Sequence, residues 1–422
     1  MKVFIFIKSL VFSLLGIAVF NDKQKSLYRT DCFVFFAMML TNVFVNTFIM
    51  IGGGIIGVVI YNMFVFGSAG VASFPQAFLA KRFGLVNAYR CGIITFILFY
   101  VSILLLGDNV QNFLWLAGGL SGISMCLFHV SRNMLILACA DYDQDVESVY
   151  WGSSGMTNSI FTIALPPLAG VIISQIGAFT GYSTIGYYIV FSVGILSFVV
   201  AFWLSFRMQS IPPVKGEQNL WADAKILFKK KSVIFSGFGE MFRGVRDIIS
   251  SFIFVSLVFY ITQNETMVGT FTMVMAICQL VGFYIVARYL NLKRAKTFLF
   301  AFSIIVTVTP LALLWSAGAG MSAHIILLSL FFVGAMSHAV ASFQNGANII
   351  CSNAIRGYLE CGFLIREIFI NVGRMIGLPI LLILLGITDN IALNVGIAMT
   401  ILGFMQIFMW LMHSRVTFKS IK

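Results

Sequence analysis

The residues best placed to do chemistry in this sequence are charged groups set inside apolar runs. One run, near 233–262, carries Glu240, Arg243, Arg246 and Asp247. Glu240, Arg243 and Asp247 are spaced i, i+3, i+7 and so share one helical face. At a rise of 1.5 Å per residue, Asp247 stands roughly 20 Å along a helix that starts at 233. A second run, near 356–386, carries Arg366, Glu367, Asn371 and Arg374, and its Glu367, Asn371 and Arg374 again share a face. If such runs cross a bilayer, each ionisable group costs about 2.5–3.5 kcal/mol on insertion scales and has to be compensated. Two compensations are open. Glu–Arg–Asp pairing along the first face, with Arg374 bracing it through Asp247, would only neutralise the helices. Alternatively the groups line a cavity, where Glu240, Asp247 or Glu367 takes up a proton. Arg374, whose guanidinium stays charged, would then clamp a carboxylate or phosphate through two hydrogen bonds.

The earlier part of the chain offers a milder polar set. Asn42 and Asn46 are one turn apart, His129, Arg132 and Asn133 lie in a later run, and Asn158 in the next. His338, Gln344, Asn345 and Asn348 fall together further on. Asparagines in such runs serve as interhelical hydrogen bonds or as ligand contacts. The two histidines are proton relays or satisfied core groups. Arg132 is expected near the mouth of a cavity. Summed over the runs, five arginines (Arg132, Arg243, Arg246, Arg366, Arg374) stand against three acids (Glu240, Asp247, Glu367). That excess favours an anionic or zwitterionic small-molecule ligand.

The elements that must position these groups are apolar helices. The chain of 422 residues is 60% hydrophobic and 10% charged, against about a quarter charged in a soluble domain, so lipid is the solvent its surface requires. A hydrocarbon core of about 30 Å needs roughly 20 apolar residues per helix. Runs of that length occur near 32–52, 55–80, 87–107, 112–137, 150–176 and 184–207, then near 233–262, 267–290, 296–317, 321–346, 356–386 and 390–413. Loop charge supports the count. The loops near 51–55, 107–112, 177–183, 262–267, 317–321 and 386–390 hold no Lys or Arg. The alternate loops carry Lys81, Arg82 and Arg90, then Lys215 to Lys231, then Arg288, Lys293, Arg294 and Lys296, then Arg356. Lys23, Lys25 and Arg29 precede the first run, and Arg415, Lys419 and Lys422 follow the last. This alternation is the positive-inside pattern, with both termini cytoplasmic. It also accounts for the net charge of +12 without nucleic acid. One loop departs from it, the acidic Asp141, Asp143, Asp145 and Glu147, which reads as solvated.

The expected organisation is therefore an all-α polytopic membrane protein of about twelve helices. Residues 1–30 form an N-terminal segment, within which 3–20 reads as an amphipathic helix on the cytoplasmic surface, the alternatives being a signal segment or an extra span. Two six-helix bundles, 31–207 and 233–414, are joined by a basic linker at 208–232 and end in a tail at 415–422. The halves repeat one another at an offset of 206–215 residues: Arg82 with Arg288, Phe128 with Phe343, Asn158 with Asn371, Pro166 with Pro379. Parallel repeats of this kind place a site near the bilayer midplane, between the halves. The seven cysteines all lie in or beside apolar runs without CxxC spacing, which reads as buried hydrophobes rather than a disulfide or metal framework. No Walker A, HExxH or GxSxG pattern occurs, so neither ATP-driven transport, a cofactor nor an enzyme activity is expected. Asn264-Glu265-Thr266 is a formal glycosylation tripeptide, and Gly52-Gly53-Gly54 suits a tight turn.

Six plus six helices with a basic central linker resemble the major facilitator superfamily. The loop signature of that family, Gly-x-Leu-x-Asp-Arg-x-Gly-Arg-Lys, aligns with Ala77-Phe78-Leu79-Ala80-Lys81-Arg82-Phe83-Gly84-Leu85-Val86. Leu79, Arg82 and Gly84 match, while Lys81 stands where the family has the Asp that latches its halves. Pro167-Leu168-Ala169-Gly170 resembles part of the Gly-Pro-x-x-Gly motif of antiporter members without assigning antiport. Phe44-Val45-Asn46-Thr47-Phe48, Tyr61-Asn62 and the stretch from Arg366 to Arg374 are similar to an orphan bacterial branch of the family, over nearly the whole chain after residue 30. The resemblance implies a plasma-membrane secondary transporter, read here as a monomer, that works by alternating access. The charged residues within the runs, not the resemblance, point to a small polar or anionic solute and to proton coupling through Glu240, Asp247 or Glu367. The alternatives are efflux of lipophilic compounds and, because of Lys81, a transporter-like sensor or scaffold.

Overall fold

A computed structural model describes residues 20–140, 144–209, 220–290, 292–355 and 359–417. The surface helix expected at 3–20 therefore lies outside the described residues but for Phe20, as do Asp141, Asp143, Arg356 and most of the linker. The described residues are helical and contain no strand. The first helices are α1 (Asp22–Phe83), α2 (Leu85–Leu106), α3 (Leu114–Cys139), α4 (Gln144–Thr180) and α5 (Ser183–Ser205). A short α6 (Leu220–Leu227) leads into α7 (Lys231–Ile248) and α8 (Phe254–Thr262), joined by a π-helical turn at Ile249–Ile253. There follow α9 (Glu265–Tyr289), α10 (Ala295–Val308), α11 (Leu311–Gly318), α12 (Ala323–Ala341), α13 (Asn345–Ala354), α14 (Leu359–Leu385) and α15 (Ile391–Ser414).

Ten helical stretches among the described residues are long and apolar enough to cross a membrane. Two of these double back on themselves. As one rod, the 62 residues of α1 would span about 93 Å, three times the hydrocarbon core. The helix breaks at Gly54, whose φ of 59° and ψ of −167° belong to a region open essentially only to glycine. Asn62 and Asn46, sixteen residues apart, consequently share a 3.0 Å hydrogen bond, where a continuous helix would hold them about 24 Å apart. The stretch Leu85–Cys139 turns in the same way through a 3₁₀ segment at Gly107–Phe113, so that Tyr89 and Phe96 of α2 pack against Phe128 of α3 with ring centroids 5.1 and 5.8 Å apart.

Local chemistry sets the ends of these helices. Asn21 caps α1 with a reciprocal pair of hydrogen bonds to Gln24, so the helix starts well ahead of the apolar run that begins at residue 32. The Asn21 amide also donates to the Cys139 carbonyl at 2.9 Å, tying the start of α1 to the end of α3. At the other end Gly84 takes φ 87°, letting the chain turn directly into α2. The linker is partly folded as α6, whose Leu227 is buried against Val233, Ile355, Cys361 and Ile365.

Aromatic side chains fill the centre of the first group of helices. Phe96 and Phe198 stack at 5.1 Å, and Phe48 meets Tyr187 at 5.4 Å. Leu299, Phe302 and Met409 do the same work between α10 and α15. Contact between the earlier and later helices runs along α4 with α9 and along α1 with α14. The closest helix pair for the charged faces is α7 with α14. A β-carbon at Gly244 would collide with the Ile370 carbonyl oxygen, and one at Gly373 with that of Met241. Small residues let the backbones approach in this way, as at membrane helix interfaces generally. That approach brings the polar faces of α7 and α14 within side-chain reach.

Candidate functional site

Three polar centres result. The first surrounds Glu240, which is fully buried. Its Oε2 accepts from Arg243 Nη1 at 3.3 Å, one helical turn on, and from Arg366 Nε of α14 at 3.4 Å. Both arginines also donate to Asn348 Oδ1 on α13, at 3.0 and 2.7 Å. On the other side, Glu240 Oε1 faces Nε2 of the buried His413 of α15 at 3.6 Å. One carboxylate thus joins α7, α13, α14 and α15.

The second centre lies deeper along the same two helices. Arg374 Nη2 donates to Asp247 Oδ2 at 3.2 Å, and Nη1 donates to Asn371 Oδ1 at 3.1 Å. The guanidinium also lies over the Phe66 ring of α1, 4.9 Å from its centroid. Its Nε is buried without a hydrogen-bond partner. Asn371 is buried, donates to the Glu367 carbonyl at 2.9 Å and packs against Gly70 of α1. The group therefore touches both the later helices and α1, with an unused N–H. The side chain of Glu367, one turn earlier, makes no hydrogen bond or ion pair among the described residues.

The third centre is in the earlier helices. Asp31 and Arg132 are both buried, and Arg132 Nε donates to Asp31 Oδ2 at 2.7 Å. Tyr150 donates to the same oxygen at 2.9 Å, and Tyr89 donates to Oδ1 at 2.8 Å. Arg132 Nη2 donates to Ser154 Oγ at 2.5 Å, with Phe35 and Trp151 flanking the guanidinium at 4.8 and 5.2 Å. Every ionised atom that would otherwise be stranded has a partner, as a buried ion pair requires. Tyr28, nearby, is hydrogen-bonded to Thr157.

The remaining expected residues are more scattered. Asn46 pairs with Asn62, while Asn42, one turn away, makes no side-chain hydrogen bond among the described residues. Asn158 is partly buried, and its side-chain oxygen has no partner. His129 packs beside Phe128 with centroids 5.1 Å apart. His338 sits against its own Gly334 carbonyl at 3.0 Å. In the loop signature Lys81 and Arg82 are exposed, Arg82 lies over Phe78 and Phe83, and Leu79 is half-buried. Arg246 points away from the α14 face and donates to Ser337 Oγ of α12 at 3.2 Å.

A family model described as the Major Facilitator Superfamily matches residues 30–378. The chain belongs to the Major Facilitator Superfamily. The superfamily fold is equally plain in solved structures. One, titled for substrate recognition in proton dependent oligopeptide transporters, superposes with TM-score 0.67 at 10% identity, covering 94% of this chain and 99% of that one. The superfamily transporter FucP, in its outward conformation, gives TM-score 0.64 at 13% identity, covering 93% and 99%. In sequence, the uncharacterized protein YqgE of Bacillus subtilis (strain 168) is 24% identical over 387 residues, 87% of this chain and 84% of its own. As a superfamily member the protein is a multi-pass membrane transporter and not an enzyme.

Some of this superfamily member's polar network was beyond sequence reasoning. Asp31 falls just ahead of the first apolar run, so hydropathy sets it aside, although α1 already buries it. With Asp31 included, five arginines face four span-embedded acids, and the cationic excess is one rather than two. His413 is likewise missed, because it sits near the polar end of its run. A signal for Asp31 existed: an acid at a span end needs a partner, and Arg132 lies well inside a run of the same half.

Proposed function

We propose that this protein is a secondary transporter that moves a small polar solute, anionic or zwitterionic, across a bacterial plasma membrane by alternating access. The reading takes twelve crossings in two six-helix halves, 31–207 and 233–414, with both termini cytoplasmic. Counting α1 and Leu85–Cys139 as two crossings each supports the number. The observation that carries the solute class is Arg374. It is permanently charged, reaches α1 through Phe66, keeps Nε free and is balanced by a single carboxylate, Asp247. A solute carboxylate or phosphate that engages Nε and one Nη would compete with Asp247 for the guanidinium. The binding energy of the solute then biases the contact between earlier and later helices, as alternating access demands.

Protons are the coupling ion in this reading. Glu367 is the foremost candidate, because it has no partner to hold its charge, and Asp247 becomes a second once solute displaces it from Arg374. Asn158 and His129 complete the polar lining from the earlier helices. That a structural neighbour is titled a proton dependent oligopeptide transporter makes a proton gradient the first driving force to test.

The test is uptake and counterflow in proteoliposomes with a panel of labelled carboxylates, phosphates and zwitterions, with and without an inward proton gradient. Gradient-stimulated uptake that disappears in Glu367→Gln, with counterflow retained, is expected. Exchange of none of the panel, together with cysteine accessibility that never alternates between the two faces, would leave a sensor or scaffold. Raised drug resistance on expression would move the solute class to lipophilic compounds.

A further inference from the structure

Arg246 is a buried cation that the transport site does not use. It is 3% exposed, on the last turn of α7 ahead of the π-helical turn at Ile249–Ile253. Its side chain runs into the core of the later helices rather than towards α14. Among the described residues no carboxylate lies within ion-pair distance of it. Asp247, its neighbour in sequence, is paired instead with Arg374. The acceptor it does have is a neutral hydroxyl, Ser337 Oγ, and the Phe302 ring lies 5.5 Å from the guanidinium. Its Nε is buried without an acceptor. Guanidinium does not shed its proton, so neutralisation by deprotonation is closed to it. A buried charge in this condition is strongly unfavourable unless an opposite charge joins it.

The same guanidinium and Ser337 border a small cavity whose other walls include Ile249, Phe254, Val306 and Met399. The cavity suits one water-sized particle or one small ion. Its polar lining can donate twice. Nε–H has no other use, and Ser337 accepts from Arg246 through a lone pair, leaving its own hydrogen to donate. A cation would be repelled by this lining, and a water molecule would satisfy Nε but leave the charge uncompensated. We propose that Arg246 and Ser337 form a binding site for one small monovalent inorganic anion of the halide class. It lies inside the later helices and is separate from the transported solute. An anion there neutralises Arg246 and fixes α7 to α12 beside the π-helical turn, leaving Asp247 to Arg374.

The purified full-length protein in detergent, held in sodium gluconate, is titrated with sodium chloride or sodium bromide at constant pH and ionic strength while thermal unfolding is followed. A saturable rise in midpoint with either halide is expected, because a ligand of the native state alone stabilises by mass action. Arg246→Met should abolish the response. Ser337→Ala, which keeps the fold if Arg246→Met does not, should weaken the apparent halide affinity roughly tenfold. Equal midpoints in gluconate, chloride and bromide, or a halide response unchanged in Ser337→Ala, would overturn the proposal.

Discussion

His413 Nε2 faces Glu240 Oε1 at 3.6 Å, and neither atom has another hydrogen-bond partner. The other ring nitrogen of His413 lies 2.9 Å from the Met409 carbonyl, which can only accept, so Nδ1 carries a hydrogen. A neutral ring then turns a lone pair towards the carboxylate, and a proton in the gap relieves the opposition. Around the pair stand Arg243 and Arg366, both on Glu240, while Lys296 donates to the Ser414 and Val416 carbonyls beside it and Arg415 lies over Phe235.

The first prediction concerns this centre. Glu240→Ala strands two arginines in the protein interior and should cost about 3–5 kcal/mol. His413→Gln, whose amide can donate to the same carboxylate oxygen, should cost only about 1–2 kcal/mol. Thermal unfolding of the two variants in one detergent decides it. Equal losses would mean that Glu240 is held by the arginines alone and that the imidazole contributes packing only.

A second prediction separates the ion pair at Asp247 and Arg374 from the solute contact assigned to Arg374. Pairwise polar couplings between membrane helices are modest, about 0.6 kcal/mol on average and below about 2. A double-mutant cycle on stability with Asp247→Asn and Arg374→Gln should fall in that range. Solute counterflow should respond far more, with Arg374→Lys losing at least about tenfold because a point charge cannot reproduce the guanidinium fork. A Lys variant that exchanges solute at the normal rate would remove Arg374 from the binding role.

How far these centres are legible in the sequence depends on where each partner sits. Glu240 with Arg243, and Asp247 with Arg374, follow from helical spacing plus the need to neutralise charge inside an apolar run. The pair of Asn46 with Asn62 is accessible once Gly52 to Gly54 is read as the bend. Asp31 and Arg132 are 101 residues apart, and no periodicity relates them. Hydropathy also marks the apolar middle of a span, whereas Asp31 and His413 lie towards helix ends that the fold buries. Nor does spacing tell that Arg243 turns to Asn348 of α13 while Arg246 turns to Ser337 of α12. That is settled by which helices surround α7.

The third prediction tests the missed centre. Asp31→Asn removes the charge that balances a fully enclosed Arg132 and should destabilise by about 3–5 kcal/mol. Tyr150→Phe removes one of the three hydrogen bonds that Asp31 accepts and should cost about 1 kcal/mol. Chemical or thermal unfolding of both measures the ratio. A Tyr150→Phe loss as large as that of Asp31→Asn would show that packing, not charge balance, holds these helices together.

The last prediction addresses what positions the α7 and α14 faces. At Gly373 an added β-carbon meets the Met241 backbone carbonyl, which cannot rotate away, and at Gly244 it meets that of Ile370. Gly373→Ala and Gly244→Ala should therefore force the helices apart and cost about 1–3 kcal/mol each by overpacking. Gly152, on α4, has open space at the corresponding position, so Gly152→Ala should be neutral or slightly stabilising through higher helix propensity. Separating α7 from α14 also lengthens the contacts of Arg366 with Glu240 and of Arg374 with Asp247. Both glycine variants should then lose solute counterflow along with stability, while Gly152→Ala keeps both. Unfolding midpoints and counterflow on the three proteins test this directly. An unperturbed midpoint in Gly373→Ala would mean that the close approach of the two helices is not what sets the site.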